Sequence, residues 1–357
     1  MAEDFVLVVD CGSTNITVVA VDQAGGLAAS CSETNGPVPQ PGAPGQWRVW
    51  DLEALWDKIS SLCKKCCDEV GAENVRAVTI TTWGADGAPV TADGEPTYPP
   101  VAWECPRTEG VMESLTEKIG ARRLYDVTGY QTISFNTLFK LVWLRENEPK
   151  ALEKADRFMM MPGLLSHRFC GEMSIDATDA STMMAMDLAK ADWSDELLAE
   201  AGLDSSFFPP LVYPGEVIGS VTAAASKACG VPAGTPVVAA GHDTQFAPIG
   251  SGATPDEAVL SSGTWEILML RTPKFEPDDL GFNEGLQTEL DAVRGLYNPQ
   301  LLMMGSGVLE WVRESLYAEI EDRGEAAAKE LGEGVIFVKT DVTDEAAGRN
   351  AVDTAVS

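Results

Sequence analysis

The stretch FVLVVDCGSTNITVVAV, residues 5–21, leaves the chain few options. Its aliphatic and β-branched run favours a strand. The run stops at Asp10 and Gly12, and a second apolar run, ITVVAV, starts within a tight turn's reach. LAAS follows the turn DQAGG, so residues 5–30 read as a strand meander. A similar pattern returns as AVLSSGTWEILML, residues 258–270. Two such hairpins suggest two domains of related architecture facing one cleft, although Gly-Ser-Thr is also ordinary turn chemistry. With 357 residues, 45% of them hydrophobic, the chain can fill two cores.

Between the hairpins, VRAVTITTWGAD reads as a further buried strand, followed by a turn at Asp93-Gly94. Helical patterns fill 108–122, 136–147 and 150–156, and Ser194 N-caps a helix that ends at Gly202. FFPPLVYPGEVIG reads as a proline-rich loop, and strands return at 236–240, 258–262 and 265–270. The cluster CKKCC raises the question of a metal site. However, Leu52, Leu55, Trp56, Ile59, Leu62, Cys63 and Cys66 follow helical spacing, which places Cys63 and Cys66 on a buried face. No second ligand pair follows at zinc spacing.

Lys and Arg total 25 against 55 Asp and Glu, a formal net charge of −30. Such a surface repels nucleic-acid backbones and anionic lipid, so neither is an expected partner. The N-terminus carries no basic leader, no apolar run is long enough to span a bilayer, and eight cysteines are too sparse for a disulfide scaffold. A reduced cytoplasm is the expected location.

The turn Gly12-Ser13-Thr14 offers backbone N–H groups and hydroxyls to an anionic oxygen, and Asp10 just before it suits Mg²⁺. Ser262-Gly263-Thr264 offers the same donors. Between them lies AAGHDTQFAP, residues 239–248, which holds His242, one of only two histidines, beside Asp243. Together these features suggest a phosphate clamp and a base. The P-loop, the G-x-G-x-x-G fingerprint and the G-x-S-x-G elbow are all absent.

VVDCGSTNITVVAVD, TTWGADGAPV, FNTLFKLVWLRE, AAGHDTQFAPIGSGA and VLSSGTWEILM resemble the FGGY family of carbohydrate kinases, over roughly residues 4–315. That family belongs to the actin-like, ribonuclease-H-like ATPases. The resemblance implies an α/β chain with two ribonuclease-H-like domains around a cleft, the first over 1–236 and the start of a truncated second over 237–317. ECPRT, SFNTLFKLVWL, GLYNP and GVLEWVR point to the branch that phosphorylates L-fuculose, with the rhamnulose branch next. The implied cofactors are ATP and Mg²⁺, and the implied partner is a small sugar.

The resemblance also implies roles. Asp243 is the general base, with His242 and Thr244 on neighbouring sugar hydroxyls. Gly12, Ser13, Thr14 and Asn15 hold the β- and γ-phosphates, Asp10 lies near Mg²⁺, and Gly263 and Thr264 take ATP phosphates from the second turn. Gly84 lets the sugar approach the backbone, Asp86 and Asn298 contact it, and Trp83 and Trp103 wall its apolar face. Glu310 lies near the nucleotide or on an exposed helix, and His167 sits on a structural helix. Asp243 also reads as a helix N-cap, which predicts a lowered pKa.

Family members continue for more than a hundred residues, with a Gly-Gly-rich turn that holds adenosine. Residues 318–357 instead read as helix, strand (335–339) and helix, resembling a short-chain dehydrogenase fragment in TDVTDEA or a divergent kinase segment. This carries two expectations: no dehydrogenase activity, and weak ATP binding that leaves a sugar- or phosphate-binding fragment as the rival reading.

Overall fold

A computed structural model describes residues 4–262, 265–305 and 308. The readings of residues 318–357, Gly263, Thr264 and Glu310 lie outside the described residues. The chain divides into two compact units: residues 1–260 with 268–302, and residues 261–267 with 303–357.

The first unit is built on a six-stranded mixed sheet. Its strands begin with β1 (Phe5–Cys11), β2 (Asn15–Asp22) and β3 (Leu27–Thr34), the antiparallel meander that the opening residues predict. Helix α1 (Leu52–Val70) packs across β2 and β3, N-capped by Asp51, whose Oδ1 accepts from the N–H groups of Glu53 and Ala54. Its buried face carries Leu52, Leu55, Ile59, Leu62, Cys63 and Cys66, so the thiols of that pair are core. Burial pushes the Cys66 thiol up to about 12.

Strand β4 (Val75–Thr82) lies parallel to β1, with Leu7 opposite Val78 and Asp10 opposite Thr81. Two strands, β5 (Gly87–Val90) and β6 (Arg157–Met160), form a separate antiparallel pair. The turn after β5 brings Gly94, φ +80°, against His167; a Cβ there would sit 2.1 Å from the imidazole, so His167 is a packing residue of its helix. The expected single helix over 108–122 is two, Glu109–Ile119 and Ala121–Thr128, because Gly120 at φ +94° breaks it.

Helix α2 (Ala177–Thr182) is followed by β7 (Val217–Ser220) and β8 (Pro236–His242). The sheet order is β7-β8-β4-β1-β2-β3. The segment expected as a loop thus supplies an edge strand. Gly215 at φ +91° reverses the chain, and its N–H bonds to Ala239 O, setting β7 antiparallel to β8. Strands β1, β4 and β8 are mutually parallel, so Asp10, Thr82 and His242 emerge at the same, C-terminal, end of the sheet. Such ends are where open α/β sheets bind ligands.

A four-stranded sheet runs in the order Val259–Ser262, Trp265–Met269, Tyr297–Met304, Gln287–Leu290. We label the last two in chain order β9 (Gln287–Leu290) and β10 (Tyr297–Met304). β9 is joined to the first unit's core by backbone: Thr288 N–H donates to Gly129 O, and Leu290 N–H to Ser181 Oγ.

Candidate active site

The penultimate residue of β8 is one that only glycine satisfies. Gly241 has φ +149°, and a Cβ there would lie 2.0 Å from Asp176 Oδ1 and 2.3 Å from Thr178 Oγ1. Asp176 caps α2, accepting from the Asp179 N–H and the Thr178 hydroxyl, while Thr178 Oγ1 accepts from the His242 N–H at 2.8 Å. The cap of α2 therefore fixes the backbone that presents His242 and Asp243.

Asp243 opens a one-turn 3-10 helix, Asp243–Phe246. Its Oδ1 accepts from the Thr244 N–H at 2.7 Å, and 36% of its side chain stays open to solvent. Contrary to the helix-end expectation, its pKa is raised. Burial of the charge outweighs the pull of His242 and of the Thr244 hydrogen bonds. A short 3-10 turn supplies too little dipole to offset that desolvation.

The His242 ring is nearly enclosed, with Nε2 3.5 Å from Asp243 Oδ1 and Nδ1 2.9 Å from Glu289 Oε2. Burial works against its charge, but Glu289, Asp243 and Asp176 overcome it, and His242 titrates at about 9. Glu289 is fully buried on β9 and saturated: the Tyr130 hydroxyl donates to Oε1 at 2.6 Å, Gln300 Nε2 to Oε1 at 2.7 Å, and Gln245 Nε2 to Oε2 at 2.6 Å. Burial pushes its pKa up, yet His242 and these donors bring it below the ordinary value. Asp179, fully buried and without a partner on either oxygen among the described residues, is pushed well above the usual carboxylate range by burial and by Asp176.

Across the strand ends, Asp10 is exposed, and burial of its surroundings together with the charge of Asp243 raises its pKa. Among the described residues Asp10 has no cationic partner, and no group of three or more His, Cys, Asp or Glu forms a metal cage. One open carboxylate beside a hydroxyl-rich turn fits Mg²⁺, which takes one or two carboxylates and completes its shell with water and substrate phosphate. In that turn, Asn35 ties down the carbonyls of Gly12 (Nδ2, 2.8 Å) and Thr14 (N–H, 2.7 Å). The Ser13 and Thr14 hydroxyls make no hydrogen bond among the described residues.

Residues 5–250 match the FGGY family of carbohydrate kinases, N-terminal domain. The chain belongs to that family. It is 42% identical over 317 residues to an L-fuculokinase of Salmonella typhi, covering 89% of this chain and 67% of the relative. An L-fuculokinase of Escherichia coli (strain K12) is 41% identical over 88% of this chain and 66% of its own length. A rhamnulokinase of Bacteroides thetaiotaomicron is 35% identical over 62% of this chain and 46% of its own. The chain thus spans about two thirds of the length of the L-fuculokinases. Among solved structures it is similar in fold to a ligand-bound xylulose kinase from Lactobacillus acidophilus (TM-score 0.81, 18% identity, 93% of this chain and 66% of that one). It is also similar to Plasmodium falciparum glycerol kinase with ADP (TM-score 0.76, 19% identity, 94% and 69%). The fold is the actin-like ATPase fold of the FGGY kinases.

Within this FGGY chain, Asp10, Gly12, Ser13, Thr14, Gly84, His242, Asp243 and Thr244 lie at the C-terminal ends of adjoining strands or in the turns after them, and Asn15 opens β2. At Gly84 a Cβ would stand 3.0 Å from Thr182 and 3.2 Å from the His242 ring. Asp86 is fully buried rather than open to a ligand. Its Oδ2 accepts from Trp50 Nε1 (2.6 Å), Trp83 Nε1 (2.8 Å) and the Trp103 N–H (3.2 Å), and its Oδ1 takes Lys140 Nζ. Lys140 and the Thr137 hydroxyl also donate to Ala85 O, holding Ala85 at φ +68°. Trp83 packs on Trp50 at 4.1 Å and is core, while Trp103 is half-buried against Phe135. Asn298 stands opposite Glu289 in the β9–β10 pair, fully buried, with neither amide atom partnered among the described residues. Glu289, Tyr130, Gln245, Gln300 and Lys140 escaped the sequence reading. The available signal was QTEL, a strand whose polar residues are all buried.

Proposed function

We propose that this chain transfers the γ-phosphoryl group of ATP to L-fuculose, giving L-fuculose 1-phosphate and ADP, with Asp243 as general base. One observation carries the reading: the Asp243 carboxylate stands partly open at the C-terminal end of the parallel strands, 3.5 Å from His242 Nε2. The choice of sugar is supported by the 41–42% identity to L-fuculokinases.

Asp243 accepts the proton of the sugar hydroxyl as that oxygen attacks phosphorus and the bond to the ADP oxygen breaks. A raised pKa makes the carboxylate a better proton acceptor. The charged His242 ring offsets the negative charge gathered at the site. The hydroxyls of Ser13 and Thr14 face phosphate oxygens in a chemistry dominated by positioning and charge neutralisation. Asp10 would hold Mg²⁺, which would supply neutralisation of the phosphate oxygens. The amide of Asn298, unpartnered among the described residues, suits a sugar hydroxyl or an ordered water as its partner.

A coupled ADP-release assay with L-fuculose, L-rhamnulose and D-xylulose tests the reading. The highest kcat/KM is expected for L-fuculose. A preference for L-rhamnulose overturns the sugar assignment, and no turnover of any sugar overturns the activity.

A further inference from the structure

We propose that Glu289 is a positioning residue for the base: buried beneath the His242 ring, it fixes that ring as the charged neighbour of Asp243. This rests on the kinase reading above. The geometry is a line of three groups. Glu289 Oε2 takes Nδ1–H of His242 at 2.9 Å, and Nε2 on the ring's far side lies 3.5 Å from Asp243 Oδ1.

Glu289 cannot swing away. Tyr130, Gln245 and Gln300 hold its two oxygens from three separate segments, and its side chain has no exposed surface. The ring is equally confined. Gly84 leaves space for one edge, and a Cβ there would already press on Nε2 at 3.2 Å. The His242 backbone is pinned by Thr178. The ring thus transmits the position of a buried carboxylate to a half-open one.

The charged and titratable groups around the ring are all acidic. Glu289 and Asp243 face its two nitrogens, Asp176 lies on the α2 side, and Asp179 and Tyr130 stand behind Glu289. Burial pushes the Asp179 carboxyl and the Tyr130 hydroxyl well above their ordinary ranges, while Glu289, held below its ordinary value, is the carboxylate nearest the ring at 2.9 Å. Without that partner, burial favours a neutral imidazole. A neutral ring of unfixed tautomer neither lowers the pKa of Asp243 nor holds its carboxylate in place.

The chain contains two histidines, so imidazole resonances of the ¹⁵N-histidine-labelled full chain separate into His242 and His167. In the wild type, His242 is expected to be protonated on both nitrogens at neutral pH and to titrate at about 9. In Glu289→Gln its midpoint falls below neutrality while that of His167 stays in place. With L-fuculose, Glu289→Gln is expected to lower kcat at least about tenfold, since small misplacements of a reacting group cost up to a hundredfold, with little change in KM. In an Asp243→Asn background the same substitution is expected to cause no further loss. A neutral His242 in the wild type overturns the proposal even if Glu289→Gln does not fold. So does an equal loss of kcat with and without Asp243. A charged His242 in a chain that phosphorylates no sugar instead overturns the kinase reading and leaves the ion pair standing.

Discussion

Replacing Gly241 by alanine perturbs the site without replacing a titratable group. At φ +149° a Cβ is strained, which costs about 1–3 kcal/mol. The added atom would also stand 2.0 Å from Asp176 Oδ1 and 2.3 Å from Thr178 Oγ1, so the cap of α2 must shift. Loss of such a cap adds about 0.5–2 kcal/mol. The sum is centred near 3 kcal/mol, or roughly 4 °C in melting temperature for a chain of 357 residues. Gly234→Ala is the control. Gly234 also has positive φ, +88°, but a Cβ there meets nothing within 4 Å, so only about 1 kcal/mol is expected. Thermal melts of both variants decide the matter. Gly241→Ala melting within a degree or two of Gly234→Ala would refute the claim that the α2 cap and the β8 terminus are one packed unit.

Two further predictions concern charge. The pKa of His242 rises from 6.5 to about 9, so its ion pairs contribute stability in full below pH 6.5 and lose it as pH climbs through 9. At about 1.4 kcal/mol per unit the loss is roughly 3 kcal/mol, read as the difference between urea melts of wild type and His242→Asn at neutral pH and near pH 10. Lys140→Met leaves the buried Asp86 carboxylate without its cation and should cost about 3–5 kcal/mol, whereas Lys140→Met with Asp86→Asn should cost less than the sum of the single changes.

The elements that sequence anticipates best are those with an uninterrupted period. The meander β1–β3 and the buried stripe of α1 follow from the spacing of Leu7, Val9, Ile16 and Val18 and of Leu55, Ile59 and Leu62. β7 is hidden because Pro and Gly surround four residues whose partner, β8, lies beyond a separate helix. The catalytic neighbourhood is legible only in part. Asp243, His242 and Asp10 each stand beside a turn that advertises them. Glu289 does not, because its meaning comes from Tyr130, His242, Gln245 and Gln300, which meet it only after folding. Asp86 misleads for the same reason: its neighbours in sequence are turn-like, but the indoles and the ammonium that enclose it come from Trp50, Trp83 and Lys140. The pKa of Asp243 departs from the local rule, since a helix-end dipole extends over one turn while burial acts from all sides.

The central claim is that Asp243 takes the hydroxyl proton. Its most direct test is kcat of Asp243→Asn with saturating L-fuculose and ATP, beside a thermal-shift titration showing that the sugar still binds. The amide keeps the side chain's shape but is not a base, so kcat is expected to fall at least ~100-fold. Turnover within about threefold of wild type, with sugar binding intact, would contradict the account.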